Sequence, residues 1–358
     1  MEMRYLSGIG VFFLLFSCTK HAGSHNFSFV EIETLYSDSL SIRAIEVMDG
    51  SLAFAANNGV FGSIDIQTDA IRTNIQRYDS MLPSFRAVAH TSSDFFMLSV
   101  GNPALLYKTG SRGYMELVYK EEGKGVFYDS MIFWNNLEGI AVGDGIDGCL
   151  SIIITGDGGE NWKKVPCSRL PKTEQGEGAF AASNTNIAIM GDKTWVATTN
   201  SRVYYSDDKG VSWELFKTPL AHDKPTQGIY SIDFYDEKLG VVVGGDYTLP
   251  DHKTANKAIT RDGGIHWQLV GDGMEPGYKS CVQFVPNAGG EDIVAVGFTG
   301  ISYSKDGGKT WSTLSDESFY TIRFVHENVA YAAGRNRIAK LTFILNMEPW
   351  SLKYTNQR

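Results

Sequence analysis

The sequence predicts an all-β protein folded as a seven-bladed β-propeller of four-stranded antiparallel blades. A motif of the form Ser/Thr-x-Asp-x-Gly-x-x-Trp recurs at 155–162, 206–213, 260–267 and 304–311, and its aspartates are 51, 54 and 44 residues apart. Recurrence at such a period indicates a repeat architecture. The chain also has 38 glycines and no long amphipathic helical pattern, which favours many short strands joined by tight turns.

Each motif lies between two strand-like runs and reads as the turn of a β-hairpin. Glycine at the tip adopts positive φ without a steric clash, and the aspartate accepts hydrogen bonds from turn amides. The tryptophan begins the outgoing strand and buries its indole against the hairpin. We therefore interpret these residues as structural: Asp157, Trp162, Asp208, Trp213, Asp262, Trp267, Asp306 and Trp311.

A second pattern precedes each motif: a short strand, a turn, and an apolar strand ending in a small pair such as Val-Gly. Counted with weaker copies, it gives seven units that start near residues 41, 84, 126, 178, 228, 277 and 318. The predicted single propeller domain spans 27–358. The ring is closed either by "FSFVEIETLY" (27–36) or by "PWSLKY" (349–354), and the pattern leaves this choice open.

The first 18 residues predict a lipoprotein-type signal segment. Arg4 precedes the apolar run "IGVFFLLF", which is too short to span a bilayer, and "LFSC" ends at Cys18, the predicted lipidation site. Residues 19–26 would form a tether. No acidic residue follows Cys18 directly, so we expect a bacterial outer-membrane lipoprotein that faces the periplasm. Because Phe16 is bulky for a lipoprotein processing site, the alternative is that ordinary signal peptidase cleaves the segment and the protein is secreted. A third possibility is that the segment is retained as an anchor.

Two of the remaining cysteines, Cys149 and Cys167, flank the first motif hairpin. They would face each other across its strands, and an oxidising compartment permits a disulfide there. Cross-strand geometry is often unfavourable for a bond, so two buried free thiols remain the alternative.

The four motifs resemble the Asp-boxes (BNR-like repeats) of sialidase-type propellers. Units such as "GIAVGD…TGDGGENW" and "GVVVGGD…TRDGGIHW" are more similar to the photosystem II assembly/stability factor family and its bacterial lipoprotein relatives. Those relatives are often labelled oxidoreductases or glycosyl hydrolases. The resemblance covers roughly residues 40–345 and implies a docking or assembly role, although propellers host many unrelated functions.

Four loops depart from the repeat, and propeller topology places them on the face opposite the motif turns: 143–148, 166–178, 219–228 and 245–257. Irregular loops on a rigid scaffold are where binding residues concentrate. Two arginines occupy matching positions at the start of the innermost strand of adjacent units, near the channel mouth. The candidate binding residues are Arg43, Arg86, Asp144, Asp147, Glu177, His222, Asp246 and Tyr247. The arginines would grip a carboxylate or phosphate, or else pair with the nearby carboxylates to neutralise buried charge.

These features favour an envelope-tethered scaffold that binds a protein or glycan partner through its irregular loop face. The alternative is a sialidase-like glycoside hydrolase, with Asp144, Glu177 and Asp246 as candidate catalytic carboxylates. We expect no cofactor and no metal, because the dinucleotide, haem and metal-ligand spacings are missing. A net charge of −9 disfavours nucleic acid as a partner, and we expect a monomer.

Overall fold

A computed structural model describes residues 25–110 and 113–346. Nearly all regular structure in this part is β-strand, and a 3₁₀ turn lies at Cys167–Arg169. The first two units contain β1 (Phe27–Met48), β2 (Ser51–Ala56), β3 (Val60–Asp65), β4 (Ile71–Ile75), β5 (Phe85–His90), β6 (Phe95–Ser99), β7 (Ala104–Thr109) and β8 (Met115–Glu121). The next two contain β9 (Tyr128–Phe133), β10 (Gly139–Ile146), β11 (Cys149–Thr155), β12 (Lys163–Lys164), β13 (Ile187–Met190), β14 (Lys193–Ala197), β15 (Arg202–Ser206) and β16 (Glu214–Lys217). The rest are β17 (Ile229–Phe234), β18 (Gly240–Gly244), β19 (Lys257–Thr260), β20 (Gln268–Leu269), β21 (Cys281–Phe284), β22 (Ile293–Gly297), β23 (Gly300–Ser304), β24 (Ser312–Ser315), β25 (Thr321–His326) and β26 (Val329–Leu345).

The strands form six antiparallel sheets. Five have four strands each, in the orders β5-β6-β7-β8, β12-β11-β10-β9, β13-β14-β15-β16, β17-β18-β19-β20 and β21-β22-β23-β24; the sixth has the order β25-β26-β1-β2-β3-β4. The prediction of an all-β propeller with four-stranded antiparallel blades is therefore confirmed. The predicted count of seven blades is wrong, because the structure shows six sheets.

The count differs because β1 and β26 join the first and last predicted units into one sheet. The first half of β1 pairs with β26 from Phe27↔Leu345 to Ser37↔Arg337, and its second half pairs with β2 from Ile42 onward. β26 folds back on itself, since the amide of Phe343 donates to the carbonyl of Asn328 at 2.8 Å. The N-terminal segment 27–37 thus closes the ring, and the other candidate, 349–354, lies outside the described residues.

Successive sheets pack face to face through apolar clusters that bridge neighbours. One joins β6 to β9 through Phe96 and Phe133, whose ring centroids are 4.6 Å apart. Another joins β14 to β17 through Trp195 and Phe234, at 3.7 Å. Such clusters hold the sheets as rigid walls around the central channel.

All four Asp-box turns form one hydrogen-bonded structure. In the first, Asp157 Oδ1 accepts from the Thr155 hydroxyl and from the Asn161 amide, both at 2.9 Å. The indole of Trp162 donates to the Gly159 carbonyl at 3.2 Å. The other three repeat this pattern around Asp208, Asp262 and Asp306.

Cys149 and Cys167 form a disulfide, with their Cα atoms 5.5 Å apart. Of the two possibilities that the sequence left open, the structure has the bond. It links the start of β11 to the segment after β12, so it staples the hairpin to the irregular loop 166–178. The remaining described cysteine, Cys281, is a buried free thiol.

Candidate functional site

A cavity of about 410 Å³ opens at the centre of the ring, on the face of the irregular loops. The starts of innermost strands and the loops after second strands line it. Its lining residues are Arg43, Arg86, Phe180, Ala181, Ala182, Tyr230, Tyr247, Tyr278, Phe298 and Tyr320. Three of the predicted binding residues, Arg43, Arg86 and Tyr247, thus lie in one cavity.

The two arginines are held in different ways. The Arg43 guanidinium lies 4.1 Å from the centre of the Tyr320 ring and donates to the Ala182 carbonyl at 3.3 Å. The Arg86 guanidinium has no hydrogen-bond or ion-pair partner among the residues that the structure describes. Burial, and then the neighbouring charge of Arg43, lower the pKa of Arg86. Arg86 is therefore a cation available to an anionic ligand group.

Aromatic rings form the opposite wall of the cavity. Phe180 and Tyr230 stack in parallel, with centroids 3.7 Å apart and planes at 4°. Tyr278 meets Tyr230 edge-on at 4.8 Å and contacts Phe298 at 5.1 Å. Tyr247, 49% exposed, lies at the rim. Phe180, Tyr230, Tyr278 and Phe298 thus form a continuous packed row, with Tyr247 beside it.

The floor of the cavity is a plug, which we define as residues 181–185. The sequence predicts an innermost strand here, but the fourth sheet begins only at Ile187. The plug instead crosses the channel and hydrogen-bonds to strands around the ring. Its partners are Val88, Met131, Ser231, Ser280, Thr321 and Arg323. Buried small polar side chains, including Ser183 at 0% exposed, make this possible because each finds a partner in the channel wall.

Asp129 is a residue that the sequence interpretation missed. It occupies the position in β9 that Arg43 and Arg86 occupy in β1 and β5, and this shared register was the available signal. Its side chain is fully buried, and neither carboxylate oxygen receives a hydrogen bond of normal geometry. Burial, then the negative charge of Asp144, hold the pKa of Asp129 well above its ordinary value, while Arg86 opposes the shift.

Asp144 lies next to this group, behind the cavity wall. Burial raises its pKa to about 6, and its Oδ1 accepts a hydrogen bond from the Ala179 amide at 3.2 Å. A side chain at position 178 would collide with this carboxylate, since a Cβ there would lie 1.8 Å from Oδ1. Asp147 is separate: it is exposed, with φ of 54°, in the turn between β10 and β11.

The other two candidate carboxylates are engaged elsewhere. Glu177 is buried and forms a two-pronged ion pair with Arg202, whose Nε donates to Oε1 at 2.9 Å. Asp246 accepts from the amide and hydroxyl of Thr248 at 2.9 and 2.5 Å. Neither carboxylate pairs with Arg43 or Arg86, although the sequence analysis gave such pairing as an alternative role for the two arginines.

His222 does not reach the cavity; it is exposed, and its ring contacts the Leu220 carbonyl at 3.1 Å. No group of three His, Cys, Asp or Glu side chains that could hold a metal ion occurs within 25–110 and 113–346. The same ranges contain no helix that is long and apolar enough to cross a membrane. The predicted lipidation site, Cys18, lies outside the described residues.

Comparison with known proteins agrees with this architecture. The family model "BNR/Asp-box repeat" matches residues 302–313, the last of the four boxes. No curated protein matches the chain.

Three solved structures share the fold. "YCF48 bound to D1 peptide" has a TM-score of 0.60 at 14% identity and covers 91% of this chain and 100% of its own. "Structure of U3-55K" has a TM-score of 0.60 at 13% identity, covering 87% and 98%, and "Crystal structure of RRP9 WD40 repeats" has 0.59 at 12%, covering 90% and 99%. At such identities the likeness concerns the fold. The chain is a β-propeller that carries an Asp-box repeat.

Proposed function

We propose that this protein is a binding or assembly scaffold whose cavity holds an extended segment of a partner protein. The observation that carries the proposal is the Arg86 guanidinium, which lines an aromatic-walled cavity and has no hydrogen-bond or ion-pair partner among the described residues. Burial raises the pKa of its neighbour Asp129 and so disfavours the charged carboxylate that would neutralise Arg86. A carboxylate of the partner would supply that charge through forked hydrogen bonds.

The chemistry of the cavity suits a protein ligand. Arginine, tyrosine and tryptophan are the residue types that most often dominate binding energy at protein interfaces. The Phe180–Tyr230 stack offers a flat apolar surface beside the two cations, and its rigidity lowers the entropy lost on binding. We favour a protein over a glycan because charge and apolar area lie side by side.

The shared fold with YCF48, solved with a D1 peptide, supports a peptide ligand for this propeller as well. We further propose that the scaffold is tethered to the bacterial cell envelope through Cys18, facing the periplasm. The lipoprotein-type segment at 1–18 is the basis for that part of the proposal.

The glycosidase alternative has less support. It needs two carboxylates that face one sugar ring. Glu177 is held in a buried ion pair with Arg202, and Asp246 and Asp144 each accept a hydrogen bond from a backbone amide, of Thr248 and Ala179 respectively. Of the three, Asp144 is the one whose pKa is raised, as a general acid requires.

The test begins with a displayed library of random peptides, selected against the purified full chain. Selected peptides are then titrated calorimetrically into the wild-type protein and into Arg86→Gln and Tyr247→Ala. Each substitution should weaken binding by at least about tenfold, since such a factor corresponds to about 1.4 kcal/mol and truncated hot spots cost about 2 kcal/mol or more.

Arg337→Gln is the matched control. Arg337 is an arginine that lies over the Phe319 ring, at 4.2 Å, and lines no part of the cavity, so its removal should leave binding unchanged. Selected peptides that bind Arg86→Gln and Tyr247→Ala as well as wild type would contradict the proposal. Turnover of a chromogenic glycoside that is lost in Asp144→Asn would support the hydrolase instead.

A further inference from the structure

A second, larger cavity of about 760 Å³ lies between the first two units, on the Asp-box face. Its walls come from β1 to β4 on one side and from β5 to β8 on the other. Turn residues such as Asp49 and Ser92 line it, and these follow the first strands of their units. The cavity therefore lies on the opposite face from the arginines.

Two comparable spaces between other units are filled by nested aromatic rings. Between the second and third units, Phe96, Phe133 and Trp162 pack with centroids 4.6 to 6.5 Å apart. Between the fourth and fifth units, the same arrangement is made by Trp195, Phe234 and Trp267. In each trio the last member is the Asp-box tryptophan.

Strand register identifies the equivalent positions in the large cavity. Met115 pairs with Thr109. In an Asp-box hairpin, extending the strand register by one pair places the box tryptophan opposite the box serine or threonine in the same way. Ala53 is equivalent to Phe96, because Ala53 pairs with Glu46 in the same way that Phe96 pairs with Ala89. His90 is equivalent to Phe133, because each follows the matching channel residue, Arg86 or Asp129, by four positions. All three equivalents, Ala53, His90 and Met115, line the cavity.

The glycines agree with this assignment. A Cβ at Gly159 would lie 2.3 Å from the Phe96 ring, and one at Gly264 would lie 3.0 Å from the Trp195 indole. A Cβ at Gly113, the corresponding position, would meet no described atom within 4 Å. The three positions that carry aromatic rings in the two filled spaces thus carry no Phe, Tyr or Trp here, and Phe61 and Phe95 are the residues of these types among those that line the space, which we call the socket.

We propose that this socket binds a tryptophan side chain presented by an extended segment of a partner protein. Indole is the ligand class because the chain itself places an indole at this position in the equivalent spaces, with its N–H donating to a carbonyl. A polypeptide is the source because β4 lines the socket, ends its sheet, and has all five residues exposed. Such an open edge can pair with an added strand.

The experiment titrates the full chain with a five-residue blocked peptide of threonine and valine that has tryptophan at its centre. The same peptide with leucine at the centre, and N-acetyl-tryptophanamide, are titrated in parallel. We expect saturable binding of the tryptophan peptide, at least about tenfold tighter than either comparison ligand.

Two variants test the location. Met115→Trp should refill the socket, raise the midpoint of thermal unfolding and weaken peptide binding by at least about tenfold. Ser63→Phe, on the facing wall of the socket, should also block peptide binding. This variant tests the location of the site if Met115→Trp does not fold. Arg86→Gln should bind the tryptophan peptide normally, which separates this site from the arginine cavity.

The proposal is overturned if the tryptophan peptide shows no saturable binding to the wild-type chain. It is also overturned if folded Met115→Trp or Ser63→Phe protein binds that peptide as tightly as wild type. Equal affinity for N-acetyl-tryptophanamide and the tryptophan peptide would refute the polypeptide source.

Discussion

Replacing Glu177 by glutamine tests whether this carboxylate is structural rather than catalytic. The change removes the buried counter-charge of the Arg202 guanidinium, in a place where both side chains are at most 8% exposed. Glu177 also accepts from the Thr198 hydroxyl at 2.7 Å and from the Glu174 amide at 2.8 Å, and a glutamine oxygen can retain part of this.

The expected loss follows from the burial of the pair. Removing one member of a buried ion pair typically costs about 3–5 kcal/mol, and we expect about 3 kcal/mol because some hydrogen bonds survive in Glu177→Gln. That is a large part of the total free energy of unfolding of a domain, about 5–15 kcal/mol. Glu174→Gln is the matched control: it lies 3.6 Å from the same arginine but is 47% exposed, so it should cost about 0–1 kcal/mol.

Urea unfolding followed by circular dichroism measures both variants against wild type at pH 7. A double variant, Glu177→Leu with Arg202→Met, should recover part of the loss because it removes both charges. Equal unfolding midpoints for Glu177→Gln and Glu174→Gln would refute the reasoning. Retained peptide binding in folded Glu177→Gln would agree with a structural role.

Two further predictions concern stability. The free energy of unfolding should rise between pH 7.5 and 9.5, because burial lowers the pKa of Lys257 to about 8 while the unfolded value is 10.5. Below pH 8 the lysine is protonated in both states, and the folded state bears the full cost of burying the charge. Above pH 8 the folded state loses the proton, and this cost disappears. Lys257→Met should flatten part of this rise in urea titrations, and an unchanged slope would contradict the assigned burial. Reducing the Cys149–Cys167 bond should lower stability by about 3 kcal/mol, as expected for a loop of this length, whereas a Cys149→Ser variant should show no response to reductant. Intact-mass analysis before and after reduction gives the bond state, and a mass that does not change would rule out the disulfide.

The repeat period predicted the fold because each Asp-box turn is local. Thr155, Asp157 and Trp162 make their key hydrogen bonds within eight residues, so the motif alone specifies the structure. The count of blades depends instead on how the chain ends pair. β1 and β26 meet across almost the whole sequence, and no local pattern shows that their pairing merges two units.

The candidate site was predictable in part: residues that share a register position could be found from the sequence, and contacts between distant parts of the chain could not. Arg43 and Arg86 were found because they share a register position, and Asp129 shares it too but was not compared. The ion pair of Glu177 was not predicted, because its partner Arg202 is 25 residues away and nothing in the spacing indicates the pair. The plug was missed because residues 181–185 are small and polar, and they are ordered by the whole ring rather than by their neighbours.

The plug has a consequence for how a partner reaches the cavity. A segment that enters the cavity beside Phe180 meets the plug, whose backbone and side chains are hydrogen-bonded to strands on several sides of the ring. Under the proposed function, a bound segment would therefore enter and leave this cavity by the same opening.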